Sequence, residues 1–224
     1  MNEQLLLPYL VASMLCIAMP GTDSLGTLSI GVTNGPKQAM AYATGVGIGC
    51  ITHTLWACVG IAAIVAASQT LFTIIKWAGA IYLVYVGVQA IRHAKHNGLE
   101  DAVVGAKTAQ PIQSQNTPSK RLWQGFLSNA LNPKVMLFFL AFLPQFVDMR
   151  LGAYPVWLQM AIFGTVFALM TSTSYIALAR ASGSAGAWIR ARPAVLVWIN
   201  RIAGLLFIGL AIRLMLSDKN LTKI

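Results

Sequence analysis

The sequence predicts an all-α, polytopic integral membrane protein. Three observations carry that prediction. Hydrophobic residues make up 57% of the 224 and charged residues only 10%, against about 25% charged in a typical soluble domain. Six apolar segments can be drawn, each about 20 residues or longer, as a spanning helix requires. The basic residues lie between those segments and mostly on one side of them, which is how topology is encoded. The net charge of +10 is therefore assigned to topology, and nucleic acid is excluded as a partner.

The first segment, 5–27, holds Asp23. This is one of six acids in the chain and the only charge between Glu3 and Lys37. Met1-Asn2-Glu3 lacks the positive start of a signal peptide. Thr33-Asn34-Gly35-Pro36 is a turn cluster that leads to the second segment, 39–67. There Gly45 and Gly49 form a small-xxx-small pair with Gly47 between them. This predicts close helix packing, inside one chain or across a homodimer. It is not a dinucleotide fingerprint, because no strand precedes it. His53 in the same segment is read first as bonding a neighbouring carbonyl, with a proton relay as the alternative. The third segment is 71–91.

Residues 92–121 have no aromatic residue and too little apolar surface to fold alone. They are read as a flexible cytoplasmic loop between two halves, 1–91 and 122–224. His93 and His96 lie there without nearby cysteines, so no metal site is assigned. Cys16, Cys50 and Cys58 fall inside apolar segments and are read as free thiols. No cofactor is implied.

The fourth segment, 122–146, contains Asn129-Ala130-Leu131-Asn132-Pro133-Lys134. Pro133 lies about 16 Å into the span at 1.5 Å per residue, near mid-depth. The fifth, 153–179, carries the hydroxyl run Thr171-Ser172-Thr173-Ser174-Tyr175. Only some members of that run can face one pathway; the others can bond their own backbone. Arg190-Ala191-Arg192-Pro193 stops one helix and starts the sixth, 194–216.

Orientation follows from the basic residues. With the long loop inside, the inner loops hold Lys37, Arg92, Lys95, Lys107, Lys120, Arg121, Arg180, Arg190 and Arg192, and the outer ones Arg150, Lys219 and Lys223. That bias places the long loop in the cytoplasm and both termini outside it. Three spans on each side of the loop make two inverted repeats, a plan that puts a transport site between two interrupted helices.

The sequence offers such a pair of interruptions. Pro20-Gly21-Thr22-Asp23 breaks the first segment and Asn132-Pro133-Lys134 the fourth. A charge at the bilayer centre costs roughly 3 kcal/mol or more and marks a pathway or a partner. A proline frees a carbonyl, an acceptor for an ammonium group. The N–H groups that open a half-helix are donors for a carboxylate. Asp23 can pair with an ammonium group or carry a proton. Lys134 can pair with a carboxylate or with Asp23. Together these groups suit a zwitterion such as a free amino acid.

The block from Gly125 to Lys134, followed by Leu137-Phe138-Phe139 and Leu143-Pro144-Gln145-Phe146, resembles the LysE/RhtB family of amino-acid exporters. Pro20-Gly21-Thr22-Asp23 is similar to that family's Pro-Gly-Pro-Asn/Asp motif, with Thr22 in place of the second proline. Lys37, Ala41, Gly45 and Gly49, and then the run from Lys76 to Leu83 with Gly87, are similar to its second and third spans. The resemblance implies a proton-driven exporter of amino acids or close analogues in the inner membrane, with periplasmic termini. It implies a substrate or coupling site at Pro20, Gly21, Asp23, Asn129, Asn132, Pro133, Lys134 and Gln145. The rival readings are a transporter of another solute or a metal cation, and a non-catalytic assembly subunit. A cation site wants several ligands together, and an enzyme needs a nucleophile–base or metal constellation; neither is visible.

Overall fold

The computed structural model describes residues 6–61, 68–92, 94, 117–147, 154–183 and 192–216. All regular structure among them is helical. Most of the 92–121 loop lies outside the described residues, as do both termini.

The first segment is two helices. α1 (Leu6–Ala18) ends before Pro20, and α2 (Thr22–Asn34) restarts at a bend of 52°. The helix therefore runs seven residues beyond the apolar limit at Thr27. Those residues belong to a helix whose inward face is partly polar, with Asp23, Ser24 and Thr27 buried alongside Leu28 and Gly31. Past Thr27 the hydropathy falls because Ser29, Thr33 and Asn34 are polar, and they lie on the half-buried and exposed side of the helix. Gly35 ends it with φ +87, the only positive φ among the described residues, a conformation that favours glycine.

α3 (Pro36–Trp56) starts on a proline at its first turn and passes into one π-helical turn, Ala57–Ile61. α4 is Gln69–Arg92. The fourth segment is again two helices, α5 (Pro118–Ala130) and α6 (Pro133–Ala141), followed by a 3₁₀ turn, Leu143–Phe146. The bend between them is 49°. α7 is Val156–Arg180 and α8 is Pro193–Leu216. Two helices, α3 with its π turn and α7, are each long and apolar enough to cross a membrane; there are up to four such elements if each bent pair is one span.

α3 is the hub, packed on α2, α5, α6 and α7. Glycines set how closely it is approached. A Cβ on Gly45 would stand 1.9 Å from the Leu122 carbonyl oxygen, and one on Gly125 would stand 2.0 Å from that of Tyr42. Gly49 faces Asn129 on the same neighbour, and Gly47 faces Ser172 of α7. All three glycines of α3 are thus taken up by contacts within the chain. Gly47 against Ser172 and Thr54 against Gly164 make α3 and α7 antiparallel.

α4 and α8 pack together at a reciprocal crossing. A Cβ on Gly87 would lie 2.6 Å from the Gly204 carbonyl oxygen, and one on Gly204 would lie 2.5 Å from that of Gly87. Ile208 covers Gly87 as Ile91 covers Gly204. The remaining core is aromatic. Phe138, Phe139, Phe142, Phe146, Phe163 and Phe167 join Tyr9 in ring contacts between 4.6 and 6.3 Å, distances favourable for tilted and edge-to-face pairs. This cluster fixes α1 against α6 and α7, and so positions the two breaks.

Candidate functional site

The two breaks meet. A proline and an extended glycine end α1, leaving its last carbonyls without helical partners. Met19 N–H takes that of Leu15. The next acceptors are met from the second half of the chain. Lys134 Nζ donates to Cys16 O and to Met19 O, both at 3.1 Å. The buried Tyr175 hydroxyl donates to Ile17 O at 3.1 Å. The negative end of the α1 dipole adds to the pull on the lysine ammonium.

Gly21 caps α2 and is bonded to Ser24, its N–H donating to Ser24 Oγ at 3.0 Å. Its backbone is extended, φ −164 and ψ −176, which any residue adopts, so its role here is space. A Cβ at Gly21 would stand 3.1 Å from Lys134 Nζ. Pro20 does not touch these charges through a side-chain bond; it ends the helix that presents the carbonyls.

Asp23 follows in the first turn of α2 and is 2% exposed. Its carboxylate accepts three hydrogen bonds, two from α5 and one from Asn132, the N-cap of α6. Ser128 Oγ reaches Oδ1 at 2.8 Å; Asn129 Nδ2 and Asn132 Nδ2 reach Oδ2 at 2.8 and 2.9 Å. Ser128 and Asn129 lie in the last turn of α5, and Asn132 follows in the extended break. The start of α2 places the positive end of a helix dipole beside the carboxylate as well. Asn132 Nδ2 also lies 3.2 Å from Thr22 Oγ1. Thr22, which replaces a proline in the family pattern, thus takes part in the contact.

The second break is built around Asn132. Its backbone is extended at ψ 109, and its side-chain oxygen accepts the Lys134 N–H at 3.0 Å. Pro133 occupies the first helical position, where no N–H is needed. Asn129 O, freed near the end of α5, accepts from Asn132 N–H at 2.8 Å and from His53 Nε2 at 2.8 Å. A carbonyl only accepts, so His53 carries its proton on Nε2. His53 therefore holds a backbone carbonyl, the role expected from the sequence.

Each break is thus braced by the other half. Lys134 and Tyr175 hold the end of α1, and His53 holds the end of α5. Among the described residues Lys134 donates to the Cys16 and Met19 carbonyls and not to Asp23, because the end of α1 lies within reach of its stem. Gln145 sits at the far end of α6, in the 3₁₀ turn. On the other side of Asn129, its Oδ1 and the Thr171 hydroxyl are buried without a conventional partner, with the Cys50 thiol as their neighbour.

Three participants were not picked out from the sequence. Ser128 is identifiable by its spacing, four residues before Asn132. Tyr175 lies in the hydroxyl run, where Thr171 and Tyr175 are buried one turn apart while Thr173 bonds the Leu169 carbonyl of its own helix at 2.8 Å. Thr22 had been noted only as a departure from the family pattern. No group of three or more His, Cys, Asp or Glu side chains that could hold a metal ion occurs among the described residues. The arrangement gathers one buried carboxylate, one ammonium and main-chain carbonyls held by side chains from the other half.

The LysE type translocator family matches residues 14–218. A membrane protein of Vibrio cholerae serotype O1 with no assigned function is 31% identical, covering 93% of this chain and 95% of its own length. A protein named homoserine/homoserine lactone efflux protein from Salmonella typhimurium is 29% identical over 89% of this chain and 90% of its own. A leucine efflux protein from Klebsiella pneumoniae is 29% identical over 93% of each. No solved structure matches. With the family pattern covering nearly all of the sequence and the broken-helix site built from its motifs, the chain belongs to the LysE type translocators, a family of membrane transport proteins.

Proposed function

We propose that this protein exports amino acids or close analogues from the cytoplasm across the inner membrane, using the proton gradient. The observation that carries the reading is Asp23. It is a buried carboxylate at the meeting of two broken helices, and among the described residues its hydrogen bonds come from neutral donors of the opposite half. An ionisable group so placed is the usual mark of a transport pathway. The efflux names of the Salmonella and Klebsiella relatives support the direction and the substrate class.

The architecture proposed is six spans as two inverted halves, 1–91 and 122–224, joined by a cytoplasmic loop, with both termini periplasmic. The antiparallel α3 and α7 and the reciprocal Gly87–Gly204 crossing support it, since two halves related by a two-fold axis in the membrane plane would pair their equivalent helices in this way. Pro20, Gly21, Asp23, Asn129, Asn132, Pro133 and Lys134 form the proposed site, and Asp23 carries the coupling proton.

The test is Asp23→Asn in proteoliposomes, assayed in two modes. Coupling through Asp23 predicts loss of gradient-driven efflux with labelled amino-acid exchange retained, because exchange moves no net proton. Loss of both assigns Asp23 to substrate binding. Full gradient-driven efflux in this variant removes Asp23 from the mechanism.

A further inference from the structure

The break in α1 leaves two main-chain carbonyls, Cys16 O and Met19 O, pointing at one place. That place holds a primary ammonium, the Nζ of Lys134, at 3.1 Å from each. It is the C-terminal end of a half-helix, which favours a cation. A Cβ on the neighbouring Gly21 would stand 3.1 Å from that ammonium, close enough that the lysine end would have to shift by a few tenths of an ångström. Asp23, in contrast, has three neutral donors on its two oxygens. Of the two acceptor sites for a cation, one is filled by amides and a hydroxyl and the other by a flexible tethered amine.

The geometry points to a primary-ammonium subsite formed by Cys16 O, Met19 O and the open face of Gly21, which Lys134 occupies in this conformation and which the ammonium of a substrate takes when Lys134 leaves. This rests on the export reading and names the half of the substrate that the site recognises. Displacement has a second consequence. Lys134 starts α6 beside the same break, so a released ammonium remains in the site and can meet the substrate carboxylate. One zwitterion then replaces one internal cation without an added net charge. Because Lys134 also ties the second half of the chain to α1, its release loosens that tie, and binding is linked to opening through the same bond.

The buried thiol of Cys16, 1% exposed, reports this opening without any transport assay. Purified protein is treated with N-ethylmaleimide, and modification of Cys16 is followed by peptide mass spectrometry. In Lys134→Ala, labelling of Cys16 is expected to be about tenfold faster or more, as the loss of a charged donor to two buried carbonyls would bring. Ethylammonium at millimolar levels is expected to slow that labelling by filling the place beside Cys16 that the lysine left, without restoring the tie to the second half. Tetramethylammonium, which has no N–H to donate, is expected to leave it fast. Gly21→Ala retains the lysine but crowds its ammonium, and is expected to speed labelling as well; it carries the test if Lys134→Ala is not recovered as monodisperse protein.

Unchanged Cys16 labelling in both variants overturns the proposal. So does faster labelling on which ethylammonium and tetramethylammonium act alike. Amino-acid flux is measured separately in liposomes. Ethylammonium protection without flux of any amino acid defeats the export reading and leaves the subsite; flux with no ammonium effect defeats the subsite alone.

Discussion

At the scale of single residues, Asp23 separates two kinds of loss. Asp23→Asn can keep every bond: the amide oxygen accepts from Asn129 and Asn132, and the amide nitrogen donates to Ser128 Oγ. Its thermal stability in detergent is expected within about 1 kcal/mol of the native protein. Asp23→Ala strips three donors of their acceptor in a buried place, at about 1–3 kcal/mol for each one left unpaired. A clear fall in unfolding temperature for Ala, and none for Asn, is the expected pattern; equal melting would mean that water reaches the site. Asp23 and Lys134 were legible in the sequence because a charge in an apolar run stands out. Asn129 and Asn132 were legible beside the Asn-Pro break, but Ser128 and Tyr175 were not: they are ordinary residues in a span, and only packing brings Ser128 to Asp23 and Tyr175 to the end of α1. That Lys134 serves carbonyls and not Asp23 follows from where α1 ends in space, which spacing along the chain does not specify.

At the scale of elements, the second break depends more on Asn132 than on Pro133. Asn132 caps α6, bonds Asp23 and contacts Thr22. Pro133 only fills a position that needs no N–H. Pro133→Ala is therefore expected to retain most of the transport rate, while Asn132→Ala loses about tenfold or more with one charge-assisted bond and a cap removed. Initial rates of substrate exchange in liposomes would decide; a greater loss from Pro133→Ala would place the break in the proline. The α3–α5 contact gives a second contrast. Gly45→Leu drives a side chain into the Leu122 main chain, an overpacking expected to cost about 1–3 kcal/mol or more. Gly60→Ala meets nothing within 4 Å and is expected to be neutral. Thermal unfolding of the two variants checks this directly. The glycine spacing in α3 was readable as packing, and Pro-Gly and Asn-Pro were readable as breaks. The extension of α2 to Asn34 was not, because half-buried Ser29 and exposed Thr33 and Asn34 lower the hydropathy that marks a span.

At the scale of the whole molecule, the halves are held together by bonds that cross between them at the breaks, from Lys134 and Tyr175 in one direction and His53 in the other. A sequence suggests two halves by counting spans and basic residues, but the reciprocity of the bracing emerges only when the helices are packed. The proposed topology makes its own forecast. Arg121, at the start of α5, donates to Asn34 at the end of α2 at 2.9 Å, so the α2–α3 turn and the start of α5 lie at the same end of the bundle. That end also carries Lys37 and Lys120 close in sequence to the contact, and a cluster of basic residues marks the cytoplasmic side. Single cysteines placed at Gln113 and at Arg150 in a cysteine-free background test it in intact cells with a membrane-impermeant thiol reagent. Gln113→Cys is expected to be labelled only after lysis and Arg150→Cys before it. The reverse pattern would turn the protein over in the membrane, bring the Lys37 end to the periplasm, and invert the direction in which the gradient could drive the substrate past Asp23.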